Sequence, residues 1–226
     1  MLSRLIVALD VEDQEKAVKL VDQLADITDV FKVGLQLFTA AGPDIVKRIM
    51  DKGSKVFLDL KLHDIPNTVA KAVESGQKMG VMAMTLHVTG GKEMLLAAAA
   101  VQPRPQLWGV TVLTSLNDDN LKQLGYRNTV KDQVFTFAKM SKDNKLDGII
   151  CSPQEISQVR PLVGDAFTIV TPGVRIKKSG DDQKRTMSAA EAVKSGADYI
   201  VVGRPILEAA DTRAATLSIL KDIGER

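Results

Sequence analysis

Cysteine and long apolar runs are both scarce in this 226-residue sequence, and no sign of charge dominates it. The single cysteine, Cys151, cannot form an internal disulfide and lacks the partners of a cysteine-based zinc site. No segment approaches the ~20 consecutive apolar residues that cross a bilayer. The apolar run at the start is too short for a signal peptide and ends at Asp10. We therefore expect a globular protein located in the cytoplasm.

Charge is nearly balanced, with 30 basic and 28 acidic residues and a formal net charge of +2. The two signs are interspersed, whereas a nucleic-acid-binding protein usually presents a basic face. The sequence is 45% hydrophobic, which is enough to form a buried core. These values exclude a disordered chain and argue against nucleic acid as the main partner.

Short apolar runs rich in β-branched residues recur along the whole chain, with helical patterns between them. Several runs are apolar at both odd and even positions, which is typical of strands buried on both faces of a parallel sheet. The pattern predicts eight strands: Leu5–Asp10, Val30–Gly34, Val56–Leu62, Ala83–Val88, Leu107–Leu113, Gly148–Ser152, Phe167–Thr171 and Tyr199–Gly203.

The segments between the predicted strands show helical spacing. The first carries an apolar stripe and begins with acidic residues, which the helix dipole favours there. Its stripe is Ala17, Leu20, Val21 and Leu24. Glycines expected as left-handed helix caps are Gly53, Gly80 and Gly196. Eight strand–helix repeats without a linker predict a single-domain (β/α)8 barrel over residues 1–226. A doubly wound open sheet is the alternative, but no Gly-x-Gly-x-x-Gly motif follows the first strand.

The third predicted strand carries charged residues where a buried strand is usually apolar. Because a strand has a period of two, Asp59 and Lys61 share one face, and three leucines occupy the other. The leucines suit the helix-facing side, so the two charged residues are expected inside the barrel, near the carboxyl end of the strand. Barrel enzymes hold their catalytic groups at that end.

Other strands supply polar residues to the same end of the barrel. Asp10 ends the first strand, Lys32 interrupts the second and His87 lies in the fourth. A structural ion pair that closes the barrel is the alternative interpretation, although burying an ion pair is commonly no more stabilising than packing hydrocarbon. Four strands that contribute polar groups favour an active site.

The end of the eighth strand has the features of a phosphate site. Gly203 and Arg204 stand between that strand and the next helix, and barrels often bind phosphate after strands seven and eight. Two long segments interrupt the repeat, Ser115–Val130 and Thr171–Arg185. The second is predicted to be a polar loop that acts as a lid, with lysines that favour an anionic ligand.

At these residues the sequence closely resembles the orotidine 5′-phosphate decarboxylase family over essentially the whole chain. The most specific match is the ten-residue segment 59–68, DLKLHDIPNT. Sugar-phosphate decarboxylases and aldolases of the same superfamily share its Asp-x-Lys-x-x-Asp core but not its continuation. Further matching segments are LIVALD at 5–10, FKVG at 31–34, TPGVR at 171–175, Gln183 with Arg185, and VGRP at 202–205.

The resemblance implies decarboxylation of orotidine 5′-monophosphate to uridine 5′-monophosphate without a cofactor or a metal. It implies a catalytic charge array, Lys32, Asp59, Lys61 and Asp64, in which Lys61 is the proton donor. It also implies a homodimer in which Asp64 and Thr68 complete the partner's site. The remaining implied substrate contacts are Asp10, Thr114, Ser115, Pro172, Arg175, Gln183, Gly203 and Arg204.

Three alternatives stay open at this point. A magnesium-dependent sugar-phosphate lyase would use the acidic residues as metal ligands. A Schiff-base enzyme would use Lys32 or Lys61 as a nucleophile, although flanking carboxylates favour the ammonium form of Lys61. A non-catalytic nucleotide-binding protein would be expected to lose the charged cluster, whose four residues are all present here.

Overall fold

The computed structural model describes residues 3–174 and 187–225 and contains a closed barrel of eight parallel strands. Each strand pairs with the next, and the last pairs with the first through the registers Leu5 with Ile200 and Val7 with Val202. The strands are β1 Leu5–Ala8, β2 Val30–Gly34, β3 Lys55–Leu62, β4 Ala83–His87, β5 Gln106–Val110, β6 Gly148–Ile150, β7 Thr168–Pro172 and β8 Tyr199–Val202. The (β/α)8 barrel is confirmed, and the doubly wound open sheet is excluded.

Helices follow every strand and form the outer layer of the barrel. Within the two described ranges they are α1 Gln14–Leu24, α2 Leu35–Ala41, α3 Asp44–Met50, α4 Pro66–Met79, α5 Gly91–Ala100, α6 Asp118–Gln123, α7 Val130–Asp143, α8 Ile156–Val163, α9 Ala189–Lys194, α10 Arg204–Leu207 and α11 Thr212–Asp222. None of these helices has the length and apolar character required to cross a membrane.

The period of two along the strands divides the core into two clusters. Side chains of one parity pack against the helices in the larger cluster. Those of the other parity fill the barrel: Ile6, Ala8, Val30, Phe57, Ala83, Trp108, Val170 and Val201. The Trp108 ring is fully buried and packs 4.6 Å from the Phe57 ring, centroid to centroid. Gly148 leaves room for it, since a Cβ there would lie 2.9 Å from Trp108 Cδ1 and 2.5 Å from the Thr168 carbonyl oxygen.

Five predicted strands extend one to three residues past the carboxyl ends of the observed strands. At β5 the cause is visible, because both the N–H and the hydroxyl of Thr111 donate to the Ile150 carbonyl oxygen, at 3.3 and 2.8 Å. That oxygen is the last acceptor that β6 offers, so the chain leaves the sheet after Thr111. Strand β7 differs from the prediction in the opposite direction, because it continues to Pro172, one residue beyond its predicted end.

The first predicted helix is confirmed together with its stripe. Asp13 caps α1 by accepting the Lys16 N–H at 2.8 Å, and the four residues of the stripe are all buried. Gly80 ends α4 with φ of 77°, in the left-handed conformation that the sequence predicts for it.

The structure describes the first of the two long segments completely and only the beginning of the second. Segment 115–130 contains α6, which begins with a reciprocal capping box between Asn117 and Asn120. The loop after β7 is described only as far as Val174, so the predicted lid and its lysines lie outside the described residues.

At the amino-terminal end of the barrel, an acidic residue and an arginine tie neighbouring strands together. Asp198 directly precedes β8, and its Oδ2 accepts the N–H of Ile169 in β7 at 2.7 Å. The Arg160 guanidinium in α8 donates to the same oxygen at 2.5 Å. It also donates to three backbone carbonyl oxygens, those of Gly164, Phe167 and Gly196. Asp147 before β6 repeats the arrangement with Leu107 N–H and Arg104.

Replacement of Arg160 tests how much this clamp contributes to stability. Arg160→Ala leaves Asp198 and three partly buried carbonyls short of donors, so we expect the free energy of unfolding to fall by about 2–3 kcal/mol. Urea denaturation measures the change. Lys139→Ala, which removes an exposed pair with Asp143, is the control and should cost at most about 0.5 kcal/mol. Equal stability of the two variants would contradict the assignment.

Candidate active site

The polar residues of the barrel mouth lie one step above the apolar layer that fills its interior. Each follows an interior residue of its own strand by two positions, so the strand period directs it toward the barrel axis. Asp10, Lys32, Asp59 and Thr85 follow Ala8, Val30, Phe57 and Ala83 in this way. The carboxyl ends of four neighbouring strands thus bring two acidic residues, a lysine and a threonine together.

Four charged side chains form a continuous chain of alternating sign. Asp10 Oδ1 lies 2.8 Å from Lys32 Nζ, which lies 3.6 Å from Asp59 Oδ2. That same Asp59 oxygen lies 2.8 Å from Lys61 Nζ. The two middle side chains of this array are buried, with exposures of 10% for Lys32 and 12% for Asp59. The side chains at its two ends are more accessible, with exposures of 29% for Lys61 and 50% for Asp10. A ligand in the barrel mouth can therefore reach both ends of the array.

Strand β3 is not regular where Asp59 and Lys61 lie. Its register with β4 is Leu58 to Met84 and then Leu62 to Leu86, so three residues of β3 stand opposite the single residue Thr85. Lys61 has φ of 51°, in the left-handed region that costs a residue with a side chain about 1–3 kcal/mol. The sequence correctly predicts that Asp59 and Lys61 meet. The regular two-residue period assumed for that prediction is interrupted by this bulge.

Thr85 is a residue that the sequence does not single out, yet it contacts both Asp59 and Lys61. It is completely buried; its hydroxyl accepts the Lys61 N–H at 2.9 Å and donates to Asp59 Oδ1 at 2.9 Å. The only available signal was the strand period, which places a threonine on the interior side of β4 one step above Ala83.

Gly34 is a second residue that the sequence analysis missed. A Cβ at this position would lie 2.8 Å from Lys32 Nζ and 3.2 Å from Asp10 Oδ1. The first distance is shorter than real Cβ contacts, so a side chain at position 34 would displace the Lys32 ammonium. A glycine inside a strand often marks such a close approach, and this was the signal that could have identified it.

Asp64 and Thr68 stand apart from the charge array of their own chain. Both are exposed, and the Asp64 carboxylate accepts the N–H of Ile65 at 2.6 Å, just before α4 begins. Within one chain the fourth member of the array is therefore Asp10 rather than Asp64. The prediction that Asp64 and Thr68 act across a dimer interface is untested by a single chain.

The other predicted substrate contacts are distributed around the same end of the barrel. Thr114 and Ser115 are exposed in the segment after β5, and Pro172 ends β7. Gly203 caps α10 and lies beside the array, since a Cβ there would be 3.4 Å from Asp10 Oδ2. Arg204 is exposed, and its side chain makes no ion pair with the described residues. Arg175 and Gln183 lie outside the described residues.

His87 ends β4 beside the array and is half-buried. Its ring centroid lies 5.6 Å from that of His63. Burial lowers the pKa of the His87 imidazole, electrostatic interactions with His63 and Lys61 lower it further, and Asp59 has an opposing effect. The imidazole is therefore neutral near pH 7, which suits a residue that packs against the array without adding charge to it.

Other features of the described residues include no member of the charge array. They contain no group of three or more histidine, cysteine, aspartate or glutamate side chains placed to bind a metal ion. Cys151 is buried, and burial raises the pKa of its thiol, which makes it a poor nucleophile. A cavity of about 660 Å³ lies between α9 and α11 and includes Ser188 and Asp222, but no residue of the array lines it.

Comparison of this sequence with known proteins identifies its family. The sequence profile of the orotidine 5′-phosphate decarboxylase / HUMPS family matches residues 3–219. The orotidine 5′-phosphate decarboxylase of Idiomarina loihiensis is 46% identical, with 99% of both chains covered. That of Saccharophagus degradans is 45% identical, with 97% of this chain and 94% of the relative covered.

The fold comparison agrees with the sequence comparison. The crystal structure of orotidine 5′-phosphate decarboxylase from Lactobacillus acidophilus matches with a TM-score of 0.86 at 38% identity, covering 98% of this chain and 99% of that chain. The family profile, the two relatives and the solved structure each match nearly the full length of this chain. The charged residues on which the sequence resemblance rests lie at the barrel mouth. This chain therefore belongs to the orotidine 5′-phosphate decarboxylase / HUMPS family and is an enzyme of the carboxy-lyase class.

Proposed function

We propose that this enzyme converts orotidine 5′-monophosphate to uridine 5′-monophosphate and CO₂, a step of pyrimidine biosynthesis, without a cofactor. The observation that carries the proposal is the Lys61 ammonium, which lies 2.8 Å from the Asp59 carboxylate at the barrel mouth. Residues 1–226 act as one catalytic domain, and we expect the enzyme to work in the cytoplasm.

Decarboxylation is difficult because it leaves a pair of electrons on C6 of the pyrimidine ring, and the ring delocalises this negative charge poorly. When the C6–carboxylate bond breaks, its electron pair stays on C6 and CO₂ departs. Lys61 then transfers an ammonium proton to C6 and regains one from water. General-acid help contributes ~10²–10⁴-fold, whereas large enzymatic accelerations reach ~10¹⁷-fold. The main contribution of Lys61 is therefore electrostatic: its fixed positive charge stabilises the developing negative charge at C6 before the proton moves.

Asp59 repels the substrate carboxylate, whereas Lys61 stabilises negative charge on the substrate. Its carboxylate would lie beside the reacting carboxylate, and the departure of neutral CO₂ relieves the repulsion between them. The buried Lys32 ammonium, 3.6 Å from Asp59 and 2.8 Å from Asp10, holds Asp59 in place. In this arrangement Asp10, the more exposed end of the array, is available with Lys32 to bind ribose hydroxyls.

The far end of the substrate would be bound by residues that take no part in bond breaking. Gly203 and Arg204 bind the phosphate together with Gln183 and Arg175, while Thr114 or Ser115 meets the pyrimidine edge and Pro172 borders the site. Support comes from Gly203 lying against Asp10 and from the exposed Arg204 side chain, which has no ion-pair partner among the described residues. Binding energy from the phosphate holds the reacting ring in place.

A second copy of the chain would complete each site by contributing Asp64 and Thr68. The segment that carries them is exposed at the barrel mouth and includes Ile65, whose side chain is 66% exposed. Leu35, directly after β2 at the same end, is 56% exposed. Large apolar side chains exposed beside a catalytic cluster suit an interface between two copies.

Replacement of Lys61 tests its role in the reaction. Lys61→Ala removes both the positive charge and the proton, so turnover should fall by about 10⁴-fold or more, while affinity for uridine 5′-monophosphate changes by less than about tenfold. Loss of orotidylate absorbance measures turnover, and calorimetry measures product binding. Lys71→Ala, which removes an exposed lysine paired with Glu74 on α4, is the control.

Retained turnover in Lys61→Ala would overturn the proton-donor role. The same assay with a chelator separates this proposal from the magnesium-dependent alternative. Wild-type turnover of orotidylate should survive chelation, and its loss would favour a metal-dependent lyase.

The phosphate assignment is tested with Arg204→Ala and two ligands. Loss of a charge-assisted contact should weaken binding of uridine 5′-monophosphate by about 10–100-fold and leave binding of uridine nearly unchanged. Arg213→Ala, which breaks an exposed pair with Asp26, should affect neither ligand. Equal losses for the nucleotide and the nucleoside would refute the assignment.

Mixing two inactive variants tests whether Asp64 acts across an interface. In a mixed dimer of Lys61→Ala and Asp64→Ala chains, one site receives both intact residues and the other receives neither. Random exchange at equal concentrations makes half of the dimers mixed, so activity should recover to about a quarter of wild type. Sedimentation confirms the assembly. Activity that remains at the mean of the two variants would place Asp64 in the site of its own chain.

A further inference from the structure

The hydroxyl group of Thr85 joins two atoms of the charge array that no other described side chain reaches. It accepts the backbone N–H of Lys61 and donates to Asp59 Oδ1, both at 2.9 Å. A hydroxyl has one proton to donate and lone pairs to accept, so this single group uses both capacities within the array. Thr85 is fully buried, and its two partners belong to one strand.

The bulge in β3 explains why a side chain has to occupy this position. Three residues of β3 face one residue of β4, so the regular ladder offers no carbonyl oxygen to the Lys61 N–H. A buried N–H without a partner costs about 1–3 kcal/mol. The Thr85 hydroxyl takes the place of the missing carbonyl and thereby stabilises Lys61 at φ of 51°.

The second bond of the hydroxyl controls the other half of the ion pair. Asp59 Oδ2 is shared by the ammonium groups of Lys61 and Lys32, at 2.8 and 3.6 Å. Only Oδ1 is left to set the rotation of the carboxylate, and Thr85 is its hydrogen-bond donor. Without that bond, the carboxylate can turn about its last side-chain torsion and move Oδ2 relative to both ammonium groups.

We propose that Thr85 is a positioning residue for the decarboxylation, because its hydroxyl fixes the backbone of Lys61 and the carboxylate of Asp59 in one relative geometry. The inference rests on the proposed function and extends it to a residue that makes no contact with the substrate in this scheme. Catalysis by fixed charges depends on such placement, since a misplacement of about 1 Å can cost ~10²-fold in rate.

A purely structural role is the competing explanation, in which Thr85 satisfies a buried N–H and affects only stability. The two explanations differ in which measured quantity changes. A structural residue alters the unfolding midpoint, with kcat of the folded enzyme unchanged. A positioning residue alters kcat, with KM and product affinity nearly unchanged, because the binding residues for ribose and phosphate lie elsewhere.

Three variants separate these explanations. Thr85→Val keeps the shape and removes the hydroxyl, and Thr85→Ser keeps the hydroxyl and removes a methyl group. Thr28→Val is the matched control, since Thr28 is a buried threonine whose hydroxyl donates to the Leu5 carbonyl oxygen at 3.0 Å, before β2 at the opposite end of the barrel. Each variant is assayed as the full chain for kcat, KM, affinity for uridine 5′-monophosphate and unfolding midpoint.

We expect Thr85→Val to lower kcat by about 10–100-fold, with KM and product affinity within about threefold of wild type. Thr85→Ser should restore kcat to within about threefold, and Thr28→Val should keep the wild-type kcat. A Thr85→Val enzyme with wild-type kcat would overturn the proposal. So would a Thr85→Ser enzyme as slow as Thr85→Val, because the hydroxyl would then be irrelevant.

Amide hydrogen exchange at Lys61 distinguishes failure of this proposal from failure of the proposed function. Exchange of the Lys61 N–H should be slow in the wild type and in Thr85→Ser, and faster in Thr85→Val, whether or not the enzyme decarboxylates orotidylate. A wild type inactive on orotidylate that still shows this pattern would refute the proposed function, while the hydroxyl bridge itself would stand. Unchanged exchange in Thr85→Val would refute the hydroxyl bridge itself.

Discussion

The site depends on one constraint, the placement of the Asp59 carboxylate inside a barrel that is otherwise filled with hydrocarbon. A buried carboxylate is costly unless its oxygens are paired, and here both oxygens have donors. Oδ1 receives the Thr85 hydroxyl, and Oδ2 receives the Lys61 ammonium with Lys32 close by. Asp59 is therefore the point where contributions of three strands, β2, β3 and β4, are joined.

The rest of the barrel keeps these charges at its mouth. The layer directly beneath them contains the buried rings of Phe57 and Trp108, which pack against each other inside the barrel. At the opposite end, Arg160 and Asp198 tie β7 to β8 without any connection to the array. The stabilising clamp and the charged site thus lie at opposite ends of the barrel and on different strands, so the mouth can carry charged groups that do not contribute to the stability of the core.

Much of the fold and part of the site could be predicted because both follow from periods along the chain. Runs apolar at both parities predict the eight strands, and the exceptions Lys32, Asp59 and Lys61 are visible as charges in those runs. The hydroxyl bridge could not be predicted. It depends on a register shift between β3 and β4 and on a positive φ at Lys61, a residue type that rarely adopts one. The role of Gly34 is similarly non-local, because it depends on where the Lys32 ammonium ends.

Burial along the array explains how one cluster can be both rigid and reactive. Its inner members, Lys32 and Asp59, are desolvated and bonded before any ligand arrives, so their geometry needs no reorganisation during the reaction. Its outer members, Asp10 and Lys61, remain accessible to a substrate. Each outer residue has the opposite charge to its inner neighbour. Alternation of charge therefore presents an ammonium and a carboxylate to one small molecule, which the nearly zero net charge of the whole chain could not indicate.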